Sequence, residues 1–163
     1  MGFDFNTWLQ NNLTQIETRW RENELELPAY AACSPDERLT CWRPLIEALA
    51  QPPTALIEAV LQWAARETSE RRATPSELLS LATSLSQTIR ALSPAKGRQQ
   101  AAERLDAMNA ALARYCAGEA ERLAAEKAQL ETLYEITREL TSTLDLSRAL
   151  QKTLAGMMAA IAA

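Results

Sequence analysis

The stretch that decides the fold is residues 112–144, LARYCAGEAERLAAEKAQLETLYEITRELTSTL. No proline interrupts residues 95–163, so one long helix can form there. Apolar side chains recur in this part of the chain at steps of three, four or seven residues, which places them on one helix face. They are Leu112, Cys116, Leu123, Leu130, Leu133, Leu140 and Leu144. The spacing predicts a helix that pairs with a second helix.

The predicted helix is much longer than a small domain needs. Roughly 45 residues would span about 70 Å at ~1.5 Å per residue. We expect a short break after it and then the start of another helical element. Gly118, which costs about 1 kcal/mol relative to alanine inside a helix, predicts the point where the helix leaves the globular part.

We define the dimer seam as the five leucines that are predicted to contact a second copy of the chain in a parallel homodimer. They are Leu123, Leu130, Leu133, Leu140 and Leu144. Glu119, Glu126 and Thr137 are weak positions on this face, and such positions lower stability while favouring one register. The alternative is that the helix packs within its own chain.

Upstream of the long helix, the sequence predicts an all-α bundle, either globin-like or of four or five helices. The chain has 163 residues, 47% of them hydrophobic, and only four glycines, which favours helices around a sizeable core. Ser34–Glu37 and Thr74–Glu77 have the Ser/Thr-Pro-x-Glu pattern of a capping box. The predicted helices are 3–23, 35–50, 54–68, 75–92 and a long fifth with Ser93 as N-cap and Pro94 as its first residue.

Charge and composition exclude several functions. The net charge is −4, with 12 acids and 8 bases in residues 1–92 and nine of each in 93–163. This offers no basic stripe for nucleic acid or an anionic membrane, and the Arg71–Arg72 pair is expected to be a solvated helix end. No apolar run approaches the ~18 residues of a membrane span.

The residues of most catalytic and cofactor sites are missing. There is no histidine, no CxxC and no glycine-rich phosphate loop, so we expect no enzyme, no metal and no cofactor. Cys33, Cys41 and Cys116 are expected to be free thiols in a cytoplasmic protein. A regulatory disulfide between Cys33 and Cys41 is the alternative.

The four tryptophans are the candidate ligand-binding residues. Trp8, Trp20, Trp42 and Trp63 all fall in the first three predicted helices. They could line a pocket for a small apolar ligand, because such pockets are mostly apolar. The other interpretation is that these large side chains close the core of the bundle.

Residues 133–154, LYEITRELTSTLDLSRALQKTL, resemble the entry to a GAF domain in bacterial sensor proteins. The phrase that carries the likeness is Leu140, Thr143, Leu144, Asp145 and Leu146. Residues 119–140 resemble the signalling-helix coiled coil that joins sensor and output modules. The resemblance implies a helical linker at 119–142 and the first helix of a truncated GAF domain at 143–163.

Residues 1–118 resemble the all-helical N-terminal sensor domains of the RsbR type. The likeness rests on Trp42–Leu49 and on the run from Arg71 to Arg90. It implies a haem-free, globin-like sensor. Together the two resemblances predict the sensory and dimerising region of a cytoplasmic signalling protein. The alternative is a docking module for a partner protein or a purely structural dimerisation module without a ligand.

Overall fold

The computed structural model describes residues 3–22 and 27–161, with side chains up to residue 155. These residues form helices and connecting turns and contain no β-strand, so the predicted all-α fold with a long C-terminal helix is confirmed. The α-helices are α1 (Phe5–Asn11), α2 (Leu13–Glu22), α3 (Pro35–Ala48), α4 (Pro53–Arg71), α5 (Pro75–Leu92) and α6 (Arg98–Ile161). Short 3₁₀ helices lie at Pro28–Tyr30 and Ala95–Gly97.

Both predicted capping boxes are present. The Ser34 hydroxyl accepts from the Glu37 amide, and the Glu37 carboxylate accepts from the Ser34 amide, at the start of α3. Thr74 and Glu77 make the same reciprocal pair at the start of α5. Glu77 also accepts from the Ala29 amide at 2.8 Å, so the α5 cap fixes the segment before α3. These bonds satisfy amides that a helix start leaves without partners.

The single first helix predicted for residues 3–23 is wrong, because two helices meet at Asn12. The Asn12 side chain donates to the Trp8 carbonyl at 2.7 Å, and its backbone leaves the helical region at φ −110° and ψ 7°. Asparagine competes for backbone hydrogen bonds in this way, which makes it a common helix end. The predicted end at Asn23 and the first residues of the connector lie outside the described residues.

The predicted start of the long helix at Ser93 is also wrong. The Ser93 amide and hydroxyl both donate to the Ile89 carbonyl, so Ser93 closes α5. Pro94 precedes the 3₁₀ turn, and α6 begins four residues later at Arg98. A Cβ at Gly97 would lie 2.3 Å from the Phe3 ring, so this turn needs glycine to accept the phenylalanine.

The break predicted within the C-terminal region is absent, because α6 is continuous over 64 residues. No proline interrupts it, and its threonine hydroxyls donate to carbonyls of the preceding turn instead of opening the helix. The same bond is made at Thr141, Thr143 and Thr153. The helix therefore passes through the residues that resemble a GAF entry without interruption. The apolar side chains from Gly156 onward lie outside the described residues.

Contacts divide the chain into Met1–Ala120 and Glu121–Ala163. In the first unit α3 packs on α4 and α2 packs on α5. The first part of α6 contributes Leu105, Met108 and Leu112 to the core, all fully buried. Cys116 is buried there as well. We refer to the first unit as the bundle and to residues 121–155 as the extension.

Helix α5 offers a matched test of the core. Replacing Leu85, which is fully buried, with alanine should lower the free energy of unfolding by about 2–5 kcal/mol, because the change removes apolar contacts and leaves a cavity. Leu79→Ala on the same helix should cost less than about 1 kcal/mol, because Leu79 is 38% exposed. Urea unfolding followed by tryptophan fluorescence measures both. Equal losses would contradict this description of the core.

Candidate functional site

The dimer seam lies on the exposed surface of the extension. Its five leucines are 48–67% exposed, although each belongs to a residue type that is normally buried. Single exposed leucines are ordinary in proteins, whereas a row of them along one helix face is the pattern from which an interaction surface is predicted. The five are Leu123, Leu130, Leu133, Leu140 and Leu144.

Ile136 also belongs to this face and was missed in the sequence analysis. It is 49% exposed and lies three residues after Leu133 and four before Leu140, so it shares their side of the helix. That spacing was the signal that could have identified it. Leu150 and Leu154 are more than half exposed as well.

Charged and polar residues of the extension have partners within their own helix. Lys127 and Glu131 form an ion pair four residues apart, with nitrogen and oxygen 3.8 Å apart. Glu126, a weak seam position, pairs along the helix with Arg122. Thr137 donates to the Leu133 carbonyl at 2.8 Å, so its hydroxyl has a partner within its own helix. The weak positions are therefore compatible with a second helix at the seam.

The four tryptophans are distributed over separate parts of the bundle. The rings of Trp20 and Trp42 are 4.8 Å apart, and Trp42 meets the Tyr30 ring edge-on at 5.5 Å. Trp8 packs instead on Phe3 and Phe5. These contacts are those of aromatic rings in a core.

Two of the indoles also hold neighbouring elements in place. Trp20 Nε1 donates to Ser84 Oγ at 3.0 Å, and Trp63 Nε1 donates to the Cys41 carbonyl at 2.9 Å. Trp63 is the one tryptophan that contributes to an open groove between α3 and α4. A common ligand pocket for all four tryptophans stays a prediction.

A buried polar cluster lies beside the tryptophans, and sequence reasoning did not find it. The Tyr30 hydroxyl donates to Glu67 Oε2 at 2.6 Å, with both residues at most 2% exposed. Arg71 Nε forms an ion pair with the same oxygen at 3.1 Å, and the guanidinium lies 6.0 Å from the centre of the Tyr30 ring. The prediction that Arg71 and Arg72 form a solvated helix end is therefore wrong for Arg71, because its side chain turns back along α4 to pair with Glu67.

Burial in this cluster changes the protonation of its members. It raises the pKa of Tyr30 far above 10, and the neighbouring Glu67 carboxylate raises it further. The hydroxyl thus stays protonated and donates to Glu67. Because the buried carboxylate has both a donor and a cation, the cluster has the form of a structural network rather than an acid–base pair.

The three cysteines are free thiols, as expected. Cys33 and Cys41 are half-buried and Cys116 is buried. Burial raises the pKa of Cys41, an effect that the nearby Arg71 partly opposes. Burial likewise raises the pKa of Cys116.

In residues 3–22 and 27–161 no group of three or more Cys, Asp or Glu side chains is placed to hold a metal ion. Over that same part of the chain, no helix has both the length and the hydropathy to span a bilayer. No protein-family model, curated protein or solved structure matches this chain.

The buried tyrosine predicts a loss of stability in alkali. Because the pKa of Tyr30 is raised in the folded chain, its contribution is complete below pH ~10 and is lost as the unfolded state ionises above that pH. Tyr30→Phe should flatten this decline and cost about 1–3 kcal/mol at neutral pH, because Glu67 loses a donor. Tyr134→Phe, at a residue 71% exposed, should do neither.

Urea unfolding between pH 7 and 11 measures these differences. The thiols of Cys41 and Cys116 add their own loss in alkali, but they are common to all three proteins and cancel in the comparison. Parallel curves for the unchanged chain and Tyr30→Phe would show that the hydroxyl is not buried against Glu67.

Proposed function

We propose that this chain is the non-catalytic sensory and dimerisation region of a cytoplasmic signal-transduction protein. In this account the bundle receives a signal, and the extension pairs with its copy in a parallel homodimer. The pairing transmits a change in packing to an output module of the GAF type. The observation that carries the proposal is the row of exposed seam leucines. The resemblances of residues 1–118 and 119–154 support the assignment to signalling.

Burial of the seam leucines against a partner would offset the cost of association. Fully burying one leucine stabilises by about 1.5–3 kcal/mol, so five seam leucines in each of two copies offer on the order of 10 kcal/mol or more. Association costs about 4–15 kcal/mol in lost translational and rotational freedom. Apolar burial of this size is comparable to the cost of association, and the added Ile136 and Leu154 increase it.

A second copy of the extension is the partner that the seam spacing supports. The seam follows the three-, four- and seven-residue spacing by which two like helices interlock their side chains. The opposite face carries charges that pair along the same helix, as in Lys127–Glu131, and remains suited to water. A copy of the extension thus presents the same row at the same spacing, which meets the requirement of a two-fold interface.

The proposed orientation of the two copies of the extension is parallel. In a parallel dimer in register, identical residues face each other across the axis. Thr137 then meets Thr137, and the two Glu126 carboxylates approach each other while each retains the Arg122 of its own helix. Such unfavourable layers weaken the pairing, and a small change in the bundle can then shift its packing.

The second candidate function is docking of a partner protein on the bundle. The observation that favours it is the groove between α3 and α4, where Ala48, Ala55 and Ala59 leave room and Glu47 and Glu58 line the edges. Small side chains allow a helix to approach closely, and the two carboxylates outnumber the one lining arginine, Arg66, which suits a basic partner. In this reading the extension still dimerises, but the bundle senses no small ligand.

The seam can be tested with charge substitutions that differ only in the face they occupy. Leu130→Glu with Leu133→Glu should convert the dimer to a monomer, because four carboxylates would be buried per dimer. Ala128→Glu with Thr132→Glu adds the same charge within the same two turns, on the opposite face, and should leave the dimer intact. Light scattering after size-exclusion chromatography measures both. Dimers in both variants would contradict the seam.

Orientation can be tested by disulfide cross-linking in a chain whose three native cysteines are replaced by serine or alanine. Glu126→Cys should then cross-link rapidly under air oxidation, because a parallel register brings the two positions together. Thr132→Cys, on the outer face, should not. An antiparallel dimer would give a slow or absent cross-link at residue 126.

A further inference from the structure

The strongest unassigned chemical feature of the bundle is the meeting of two thiols at one guanidinium. Cys33 lies in the turn before α3, half-buried, and its Sγ accepts from Arg71 Nη1 at 3.7 Å. Cys41, on α3, is half-buried and also faces Arg71. The two cysteines thus lie near the same guanidinium, that of Arg71, which is also paired with Glu67.

Arg71 has donors to spare for a second anion. A guanidinium carries five N–H donors in a rigid fork. Here Nε lies 3.1 Å from Glu67 Oε2 as an ion pair without making a hydrogen bond, and the side chain remains 32% exposed beside the Cys33 sulfur. Glu67 and Glu37 are the acids whose fields act on Arg71 from α4 and α3. An anionic sulfur at Cys33 would receive a charge-assisted bond without removing the Glu67 pair.

The start of α3 disfavours a disulfide between Cys33 and Cys41. Ser34 is the N-cap of α3 and lies seven residues before Cys41, which corresponds to about 10 Å along the helix axis. Cys33 precedes Ser34 by one residue, about 3.8 Å. A disulfide requires Cα atoms within about 7 Å. The two Cα atoms are therefore close to or beyond this limit, and a bridge would work against the Ser34–Glu37 capping box.

We propose that Cys33 is a site of reversible oxidation by a hydroperoxide, and that Arg71 stabilises the resulting sulfenate. The Cys33 sulfur attacks one oxygen of hydrogen peroxide, an S–O bond forms and the O–O bond breaks. The sulfur loses two electrons, and the departing hydroxide takes the thiol proton and leaves as water, so Cys33 becomes a sulfenic acid. The sulfenic hydroxyl releases its proton to solvent to give the sulfenate beside Arg71. Because the start of α3 disfavours a bridge to Cys41, the product persists until it regains that proton and an external low-molecular-weight thiol condenses with it, releasing a second water.

The test uses the full chain, hydrogen peroxide and dimedone, which traps sulfenic acids, with peptide mass spectrometry to locate the adduct. Cys33 should be labelled faster in the folded chain than in the chain unfolded in urea, on the order of tenfold, because only the folded chain holds Arg71 beside the sulfur. Cys116, buried and donating to the Pro75 carbonyl, should be labelled more slowly when folded. Equal rates for folded and unfolded Cys33 would overturn the proposal.

Substitutions of Arg71 separate the effect of its positive charge on Cys33 labelling from the effect of its packing. Arg71→Met should reduce Cys33 labelling to the rate of the unfolded chain, Arg71→Lys should retain part of the enhancement, and Arg66→Met, an exposed arginine on the same helix, should have no effect. A Cys33–Cys41 disulfide without a dimedone adduct would also overturn the proposal. If Arg71→Met does not fold, the comparison of folded and unfolded native chain decides alone.

Discussion

Burial of apolar surface along α6 is the constraint on which the rest of the structure depends. The first part of this helix is covered by the bundle through Leu105, Met108 and Leu112, whereas the leucines of the extension face solvent at 48–67% exposure. Both sets consist of large apolar residues in one uninterrupted helix, so helical propensity alone does not explain why the residues of the second set are apolar. Under the proposed function, a second copy of the extension covers this second set.

Within the bundle, the aromatic and polar contacts around Tyr30 fix one arrangement of the helices. Trp42 packs against the Tyr30 ring, and the Tyr30 hydroxyl joins Glu67 on α4. A buried carboxylate is costly unless it is paired, so a rearrangement that separates α4 from the Tyr30 turn removes the hydroxyl donor and leaves Glu67 with Arg71 alone. The cluster resists small displacements of the bundle while placing Arg71 beside the thiols.

Sequence reasoning succeeded where local chemistry decides the structure. The Ser34 and Thr74 capping boxes predicted the starts of α3 and α5, and the absence of proline predicted that a long helix follows, although not its start at Arg98. It failed where a competing local bond was invisible in the pattern, as with Asn12, whose side chain splits the first helix. The Tyr30–Glu67–Arg71 cluster was missed because it joins residues 37 positions apart, a contact that only the fold creates.

The measurement that tests the central claim most directly is the sedimentation mass of two proteins, the full chain and the chain ending at Gly118. The account predicts twice 18.1 kDa for the full chain and a monomer for the shortened one, because the seam lies wholly beyond residue 118. A full chain that remains monomeric at concentrations well above micromolar would contradict the account. A dimer of the shortened chain would place the interface on the bundle instead.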